Sequence, residues 1–281
     1  MKWAAVVLAG CAATTGEAQQ AIVGGSADGS DDAVVAVVER PVCSDAFTIT
    51  CSGTLVAPQV VLTAAHCVTP GTPLEVHVGT PVGSGQFIAV TDAIRDPMFD
   101  DATHAYDLAI LQLAEPASAS PVPVPTATLD ASFVGATARI VGFGVDAPGA
   151  LADGQRRAGT MQIASVDAYT FTAMPAPSNT CGGDSGGPVF VTTGGGEQLL
   201  GVPVAGDALC SANAIDGRVD VSVADFVQPY VDAPVPAGPP PSAPPCMTPA
   251  TMGGGCSAGG APGAGLALLV MARRSRRRTR A

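Results

Sequence analysis

Cys181-Gly182-Gly183-Asp184-Ser185-Gly186-Gly187-Pro188-Val189-Phe190-Val191-Thr192 joins a glycine-rich turn to a short β-branched run. The glycines flanking Asp184 and Ser185 let the backbone turn tightly, and the residues after Pro188 favour a strand. Outward from this stretch the same pairing recurs. Residues 33–38, 53–62, 74–78, 87–90, 108–113, 138–143 and 199–204 are apolar, β-branched runs separated by Gly, Pro, Asp and Ser. Short runs with turn residues between them indicate an all-β sandwich or barrel, not alternating βα units. Pro121, Pro123 and Pro125 divide the region near its middle, as a linker between two β units would. One helix is expected after the last strand, because Val223, Phe226, Val227, Tyr230 and Val231 fall on one helical face. Ser222 is its expected N-cap and Pro234 its stop.

The 281 residues include 34 Gly, 25 Pro and 47% hydrophobic side chains, enough for a core and too broken for helical repeats. Six of the 13 basic residues stand in the last nine positions, which leaves residues 1–272 with 7 basic against 24 acidic side chains, or −17. A body so acidic repels phosphate, so no nucleic-acid partner is expected. Eight cysteines point to an oxidising compartment. Lys2 followed by the apolar residues 3–9 reads as an export signal, with Gly16 and Ala18 as the small residues before a cleavage point. Signal residues 1–18 and a propeptide 19–21 are thus expected. Leu8-Ala9-Gly10-Cys11 also resembles a bacterial lipobox, which would place a lipid on Cys11.

A serine hydroxyl attacks poorly until a base removes its proton and donors stabilise the resulting oxyanion. Ser185 in its glycine setting is a candidate nucleophile, although a Gly-Asp-Ser-Gly-Gly string can also be an ordinary turn. Thr63-Ala64-Ala65-His66-Cys67 supplies a candidate base at the end of an apolar run. A zinc role for His66 would need further ligands, and neither His77 nor His104 forms a ligand-spaced cluster with it in sequence; no metal is expected. Asp107 opens the apolar run Leu108-Ala109-Ile110-Leu111, an unusual place for a charge. It reads either as a surface turn or as the carboxylate that orients an imidazole.

Together these residues resemble the trypsin-like, chymotrypsin-fold serine peptidases over residues 22–232. Four segments stand in that family's order: Ile22-Val23-Gly24-Gly25, His66, Asp107 and Ser185. The resemblance implies two antiparallel six-stranded β-barrels with a C-terminal α-helix. It also implies His66 as general base, Asp107 as its orienting group, Ser185 as nucleophile, and the N–H groups of Gly183 and Ser185 as the oxyanion hole. It further implies an activation pair, in which proteolysis frees the Ile22 amine to join Asp184. Ala21 precedes Ile22, so an activator that cuts after Lys or Arg is not expected. Disulfides Cys51–Cys67 and Cys181–Cys210 follow from the resemblance, while Cys43 has no evident partner. No cofactor is implied. A monomer, protein or peptide substrates and an activating protease are.

The chain departs from the family in its specificity pocket. Asn179 stands where a trypsin has its pocket-base Asp, and Gly206 and Gly217 correspond to the pocket walls. An open, uncharged pocket predicts neutral, medium-to-large P1 side chains, although Asp207 and Asp216 are close enough in sequence to restore some basic preference. Val204-Ala205 replaces the family's usual Ser-Trp, which removes a hydroxyl donor from the catalytic Asp. Beyond the domain, residues 233–258 read as a Pro/Gly-rich linker. Residues 259–281 combine a short apolar run with an Arg cluster. With Cys256 in a Gly-rich setting, this layout resembles the sorting tails of myxobacterial surface proteins and predicts outer-membrane or cell-surface anchoring. Two other functions fit the sequence: a catalytically silent protease-like binding domain, and a surface-anchored structural protein.

Overall fold

The structure, a computed structural model, describes residues 22–40, 44 and 46–233. The export signal, Cys11, Cys43, the linker, Cys256 and the tail lie outside the described residues.

Twelve of the thirteen strands among the described residues form two closed antiparallel barrels. The first contains β2 (Val34–Glu39), β3 (Thr48–Ala57), β4 (Val60–Thr63), β5 (Leu74–Val78), β6 (Gln86–Arg95) and β7 (Ala109–Leu113), closed in the order β2-β3-β4-β7-β6-β5. The second contains β8 (Thr137–Gly142), β9 (Arg157–Val166), β10 (Thr170–Pro175), β11 (Val189–Thr193), β12 (Gly196–Gly206) and β13 (Ala214–Arg218). Its ring runs β9-β10-β13-β12-β11-β8 and closes by pairing β8 with β9. The two-residue strand β1 (Ser26–Ala27) adds to the outside of β9. The proline segment lies in the connection between Leu113 and Thr137, where Val122 N–H reaches back to the Leu55 carbonyl.

Residues Val34 to Val38 are wholly buried, which a run with no polar alternation requires. They belong to a core that also takes Val141, Phe143, Phe190, Leu199, Val202 and Val204 from the second barrel. The two barrels therefore share one apolar interface, while Ile22, Ile140, Met161, Phe171 and Leu200 belong to a second cluster.

Two expectations are corrected. The run over 53–62 folds as two strands, because Pro58 and Gln59 form a turn between β3 and β4. The expected C-terminal helix begins as a π-turn over Val223–Val227 and continues as α1 (Gln228–Asp232). Phe226 N–H and Val227 N–H both donate to the Ser222 carbonyl at 3.0 Å. Ser222 stands at the expected N-cap, but its side chain makes no capping bond: its hydroxyl donates to the buried Asp96 at 3.1 Å. The expected face is still inward, with Phe226 and Val227 buried and Val223, Tyr230 and Val231 packed against the core. The helix stops at Asp232, two residues before Pro234, as the restriction that proline places on its neighbour favours.

Candidate active site

β4 delivers Thr63 to a short 3-10 turn over Ala65–Cys67 that carries His66. Beside it, Asp107 sits two residues before β7, the strand that pairs with β4, and is fully buried. Its carboxylate grips His66 twice: Oδ1 accepts from the backbone N–H and Oδ2 from Nδ1, each at 2.9 Å. Because an ionised carboxylate only accepts, Nδ1 must carry the proton and Nε2 is left as the basic lone pair. Burial by itself would raise the Asp107 carboxyl. The bond and charge of His66, with a bond from His104, outweigh it and hold the carboxyl below its ordinary value.

The serine arrives from the other barrel on the loop that precedes β11. Gly183 and Gly186 have φ of +91° and +83°, the left-handed region that glycine tolerates. Gly186 N–H donates to the Pro203 carbonyl and Gly187 N–H to that of Asp184, both at 3.0 Å. A side chain at Gly186 would collide with Thr63 and the Ser52 carbonyl, so only glycine lets this loop press against the His66 segment.

Ser52, buried on β3, is the link that sequence reading missed. Its N–H donates to the Ser185 carbonyl at 2.8 Å and its hydroxyl to the Gly183 carbonyl at 2.9 Å. The same hydroxyl accepts from Phe143 N–H at 2.9 Å. A serine inside an otherwise buried run was the available signal.

The disulfides Cys51–Cys67 and Cys181–Cys210 are formed. Cys67 Sγ lies 3.7 Å from His66 Nε2 and 3.8 Å from the Ser185 carbonyl oxygen, so imidazole and serine flank one sulfur. Among the described residues no hydrogen bond joins Ser185 Oγ to Nε2, a bond that often tightens only when substrate is present. The N–H groups of Gly183 and Ser185 have no protein acceptor among the described residues.

Asp184 is buried and accepts from Gly144 N–H and Cys181 N–H, each at 2.9 Å. Burial raises its carboxyl to about 7, and these two bonds and the charge of Arg157 offset that only in part. Ile22 is fully buried, and no bond joins it to Asp184 among the described residues. Its neighbour Val23 docks against Asn179, whose N–H donates to the Val23 carbonyl at 2.9 Å.

Beside Ser185 opens a cavity of about 330 Å³ lined by Thr180, Cys181, Pro203, Ala205, Gly206 and Asp207 among others. Of the expected pocket residues, Gly206 lines it. Asn179 lies behind Thr180, buried, with its Oδ1 unpartnered. Gly217 is turned away: a side chain there would meet Val204 and approach the carbonyl of Asp107. Asp207 is occupied with backbone N–H groups of Ser211, Ala212 and Asn213. Asp216 pairs with the cavity residue Pro203 across β12 and β13, is fully buried, and has no partner on either oxygen. Burial pushes its carboxyl up to about 8.

The histidines also differ from expectation. His77 is buried in the first barrel, where Nε2 accepts from Gly83 N–H at 3.0 Å. His104, by contrast, reaches the site: its Nδ1 donates to Asp107 Oδ2 at 3.0 Å. His66, His104 and Asp107 thus do have metal-ligand spacing, which sequence separation had hidden. A second such group, Cys51, His66 and Cys67, is closed to metal by its disulfide.

The trypsin family profile matches residues 27–227. A trypsin of Saccharopolyspora erythraea is 32% identical over 176 residues, 56% of this chain and 75% of that protein. A trypsin of Simulium vittatum is 37% identical over 82 residues, 28% of this chain and 33% of its own length. Glucanase inhibitor protein 4 of Phytophthora infestans is 26% identical over 205 residues, 66% of this chain and 79% of its own. With its paired six-stranded barrels and this profile spanning both, the chain belongs to the trypsin family.

Proposed function

We propose that the protein is an exported serine endopeptidase that hydrolyses peptide bonds through an acyl-enzyme, without metal or organic cofactor. The observation that carries this reading is the double grip of Asp107 on His66, which leaves Nε2 basic beside the Ser185 loop. In the reaction Nε2 takes the Ser185 proton as Oγ attacks the carbonyl carbon. Asp107 stabilises the imidazolium, and the N–H groups of Gly183 and Ser185 receive the oxyanion. The imidazolium then protonates the leaving amine, and water repeats the cycle to release the acid.

Cleavage before Ile22 would supply the cation that buried Asp184 lacks, since a buried charge is tolerated when it is paired. An activating protease is therefore a required partner; a monomer is the expected state. The pocket favours neutral, medium-to-large P1 side chains, because Asn179 carries no charge and burial disfavours the anion of Asp216. A P1-varied peptide library tests this, with little cleavage after Lys or Arg expected. Export and anchoring rest on the N- and C-terminal sequences.

A fluorophosphonate probe tests activity itself: it should modify the processed chain at Ser185, and Ser185→Ala should prevent labelling. Three relatives favour a second reading, since their names describe glucanase inhibitors. A catalytically silent binding domain would leave Ser185 unlabelled even after cleavage before Ile22.

A further inference from the structure

The geometry points to a divalent metal site at the catalytic centre, in which His66, His104 and Asp107 bind a zinc-class ion that reversibly switches the enzyme off. Three donors converge there. His66 Nδ1 and His104 Nδ1 stand 2.9 and 3.0 Å from the same oxygen, Asp107 Oδ2, and a ligand atom of each residue lies within 4.8 Å of the others. Zinc bound at about 2.0–2.2 Å by nitrogen and oxygen sets its ligands about 3.3 Å apart, so small shifts suffice. Two imidazoles and a carboxylate leave a fourth position for water.

The site is reachable and electrostatically suited. The histidine side chains are 27% and 29% exposed while Asp107 is buried, so each imidazole has one edge open to solvent and room to turn as an ion displaces the Nδ1 protons. Residues 1–272 carry a formal −17, which draws cations toward the surface. The segment that brings His104 in is itself constrained: His104 and Tyr106 both hold φ of +54°, a conformation unusual for side chains of their size. An isolated bridge between Asp100 and Ala105 closes that loop.

Inhibition follows from proton bookkeeping. Each neutral imidazole has one proton, carried on Nδ1 while it donates to Asp107. Metal on Nδ1 moves that proton to Nε2, and nothing is released or consumed. His66 Nε2 then carries a proton and cannot accept the one from Ser185, so the attack stops. Removing the ion restores the original tautomer.

Binding does not depend on the peptidase reading; the inhibition does. The test therefore uses full-length Ser185→Ala protein, which cannot digest itself, titrated with zinc chloride in a calorimeter. A single site is expected, with Kd on the order of 1–100 µM. His104→Gln in that background should weaken it by about tenfold or more. Cobalt in place of zinc, with His104 intact, should give the intense visible absorption of a tetrahedral site. In the unmodified, processed enzyme, micromolar zinc should lower kcat/KM and EDTA should restore it. Zinc binding unchanged by His104→Gln, or no tetrahedral cobalt spectrum, overturns the site. His104-dependent binding by a protein without activity would uphold the site and sink the peptidase reading instead.

Discussion

The two barrels divide the labour unequally. The first leaves two neutral buried atoms, Thr54 Oγ1 and His77 Nδ1, without partners, but β2 and β7 are almost wholly apolar and buried, and its contribution to the site, His66 on Asp107, has its hydrogen bonds made. The second leaves carboxylates unfinished. Asp184 is buried without a cation, both oxygens of Asp216 lack partners, and Asn179 has an orphaned amide oxygen. Such groups cost stability unless something pairs them. One barrel positions the base, and the other stores acceptors around the cavity and the activation loop. The difference fits the proposed function, in which a freed N-terminus and a substrate supply what the second barrel lacks.

The largest effect that would sharpen this contrast is on activity. Asp107→Asn keeps the shape but loses the anion and permits the wrong tautomer, so kcat should fall by about 10⁴-fold with folding intact. Measured peptide hydrolysis and thermal melts of the same preparation check it. Equal losses of activity and stability would show that Asp107 merely holds the first barrel together.

Next in size is Arg156→Met at the seam. Arg156 is fully buried, pairs with Asp28 at 2.8 Å and Asp32 at 3.0 Å, and donates to the Val34 carbonyl on β2. Asp28 keeps its bonds to Ser30 and Asp31, and Asp32 is exposed, so the loss is that of charge-assisted hydrogen bonds, and urea unfolding should show about 1.5–3 kcal/mol.

The unfinished carboxylates give a smaller, pH-dependent signature. Folded Asp216 holds its proton up to about pH 8, while the unfolded side chain releases it near 3.8. The native state therefore binds more protons across that window, and its stability declines as pH rises from about 4 to 8. For one group the slope is at most about 1.4 kcal/mol per pH unit. Asp216→Asn should flatten the decline in denaturant midpoints measured from pH 5 to 8; an unchanged slope would place its cause elsewhere. Smallest is Ser52→Ala, which leaves Phe143 N–H without its buried acceptor and should cost about 1–3 kcal/mol, with the Ser185 loop loosened in hydrogen exchange.

Legibility in the sequence followed chemistry and apolar pattern. Ser185, His66 and Asp107 could be singled out because each is a reactive side chain fixed beside glycines or an apolar run. β2, β4 and β7 of the first barrel could be read for the same reason, since they are nearly unbroken apolar runs. β9, β10 and β13 could not. β13 reads Ala-Ile-Asp-Gly-Arg, turn-forming residues held in a strand by neighbours on both sides. His104 was also hidden, because its approach to Asp107 depends on left-handed backbone at residues 104 and 106 that no residue type there demands. Gly217 failed as a pocket wall because a strand alternates faces, and in this register it faces Val204.

The most direct measurement is a crystal structure of the processed chain trapped with a fluorophosphonate. Phosphorus bonded to Ser185 Oγ is expected, with the phosphonyl oxygen within hydrogen-bonding reach of the Gly183 and Ser185 N–H groups and His66 Nε2 alongside. An unmodified Ser185 in a correctly cleaved chain, or an adduct whose oxygen points away from both N–H groups, would contradict a nucleophile from one barrel served by a base from the other.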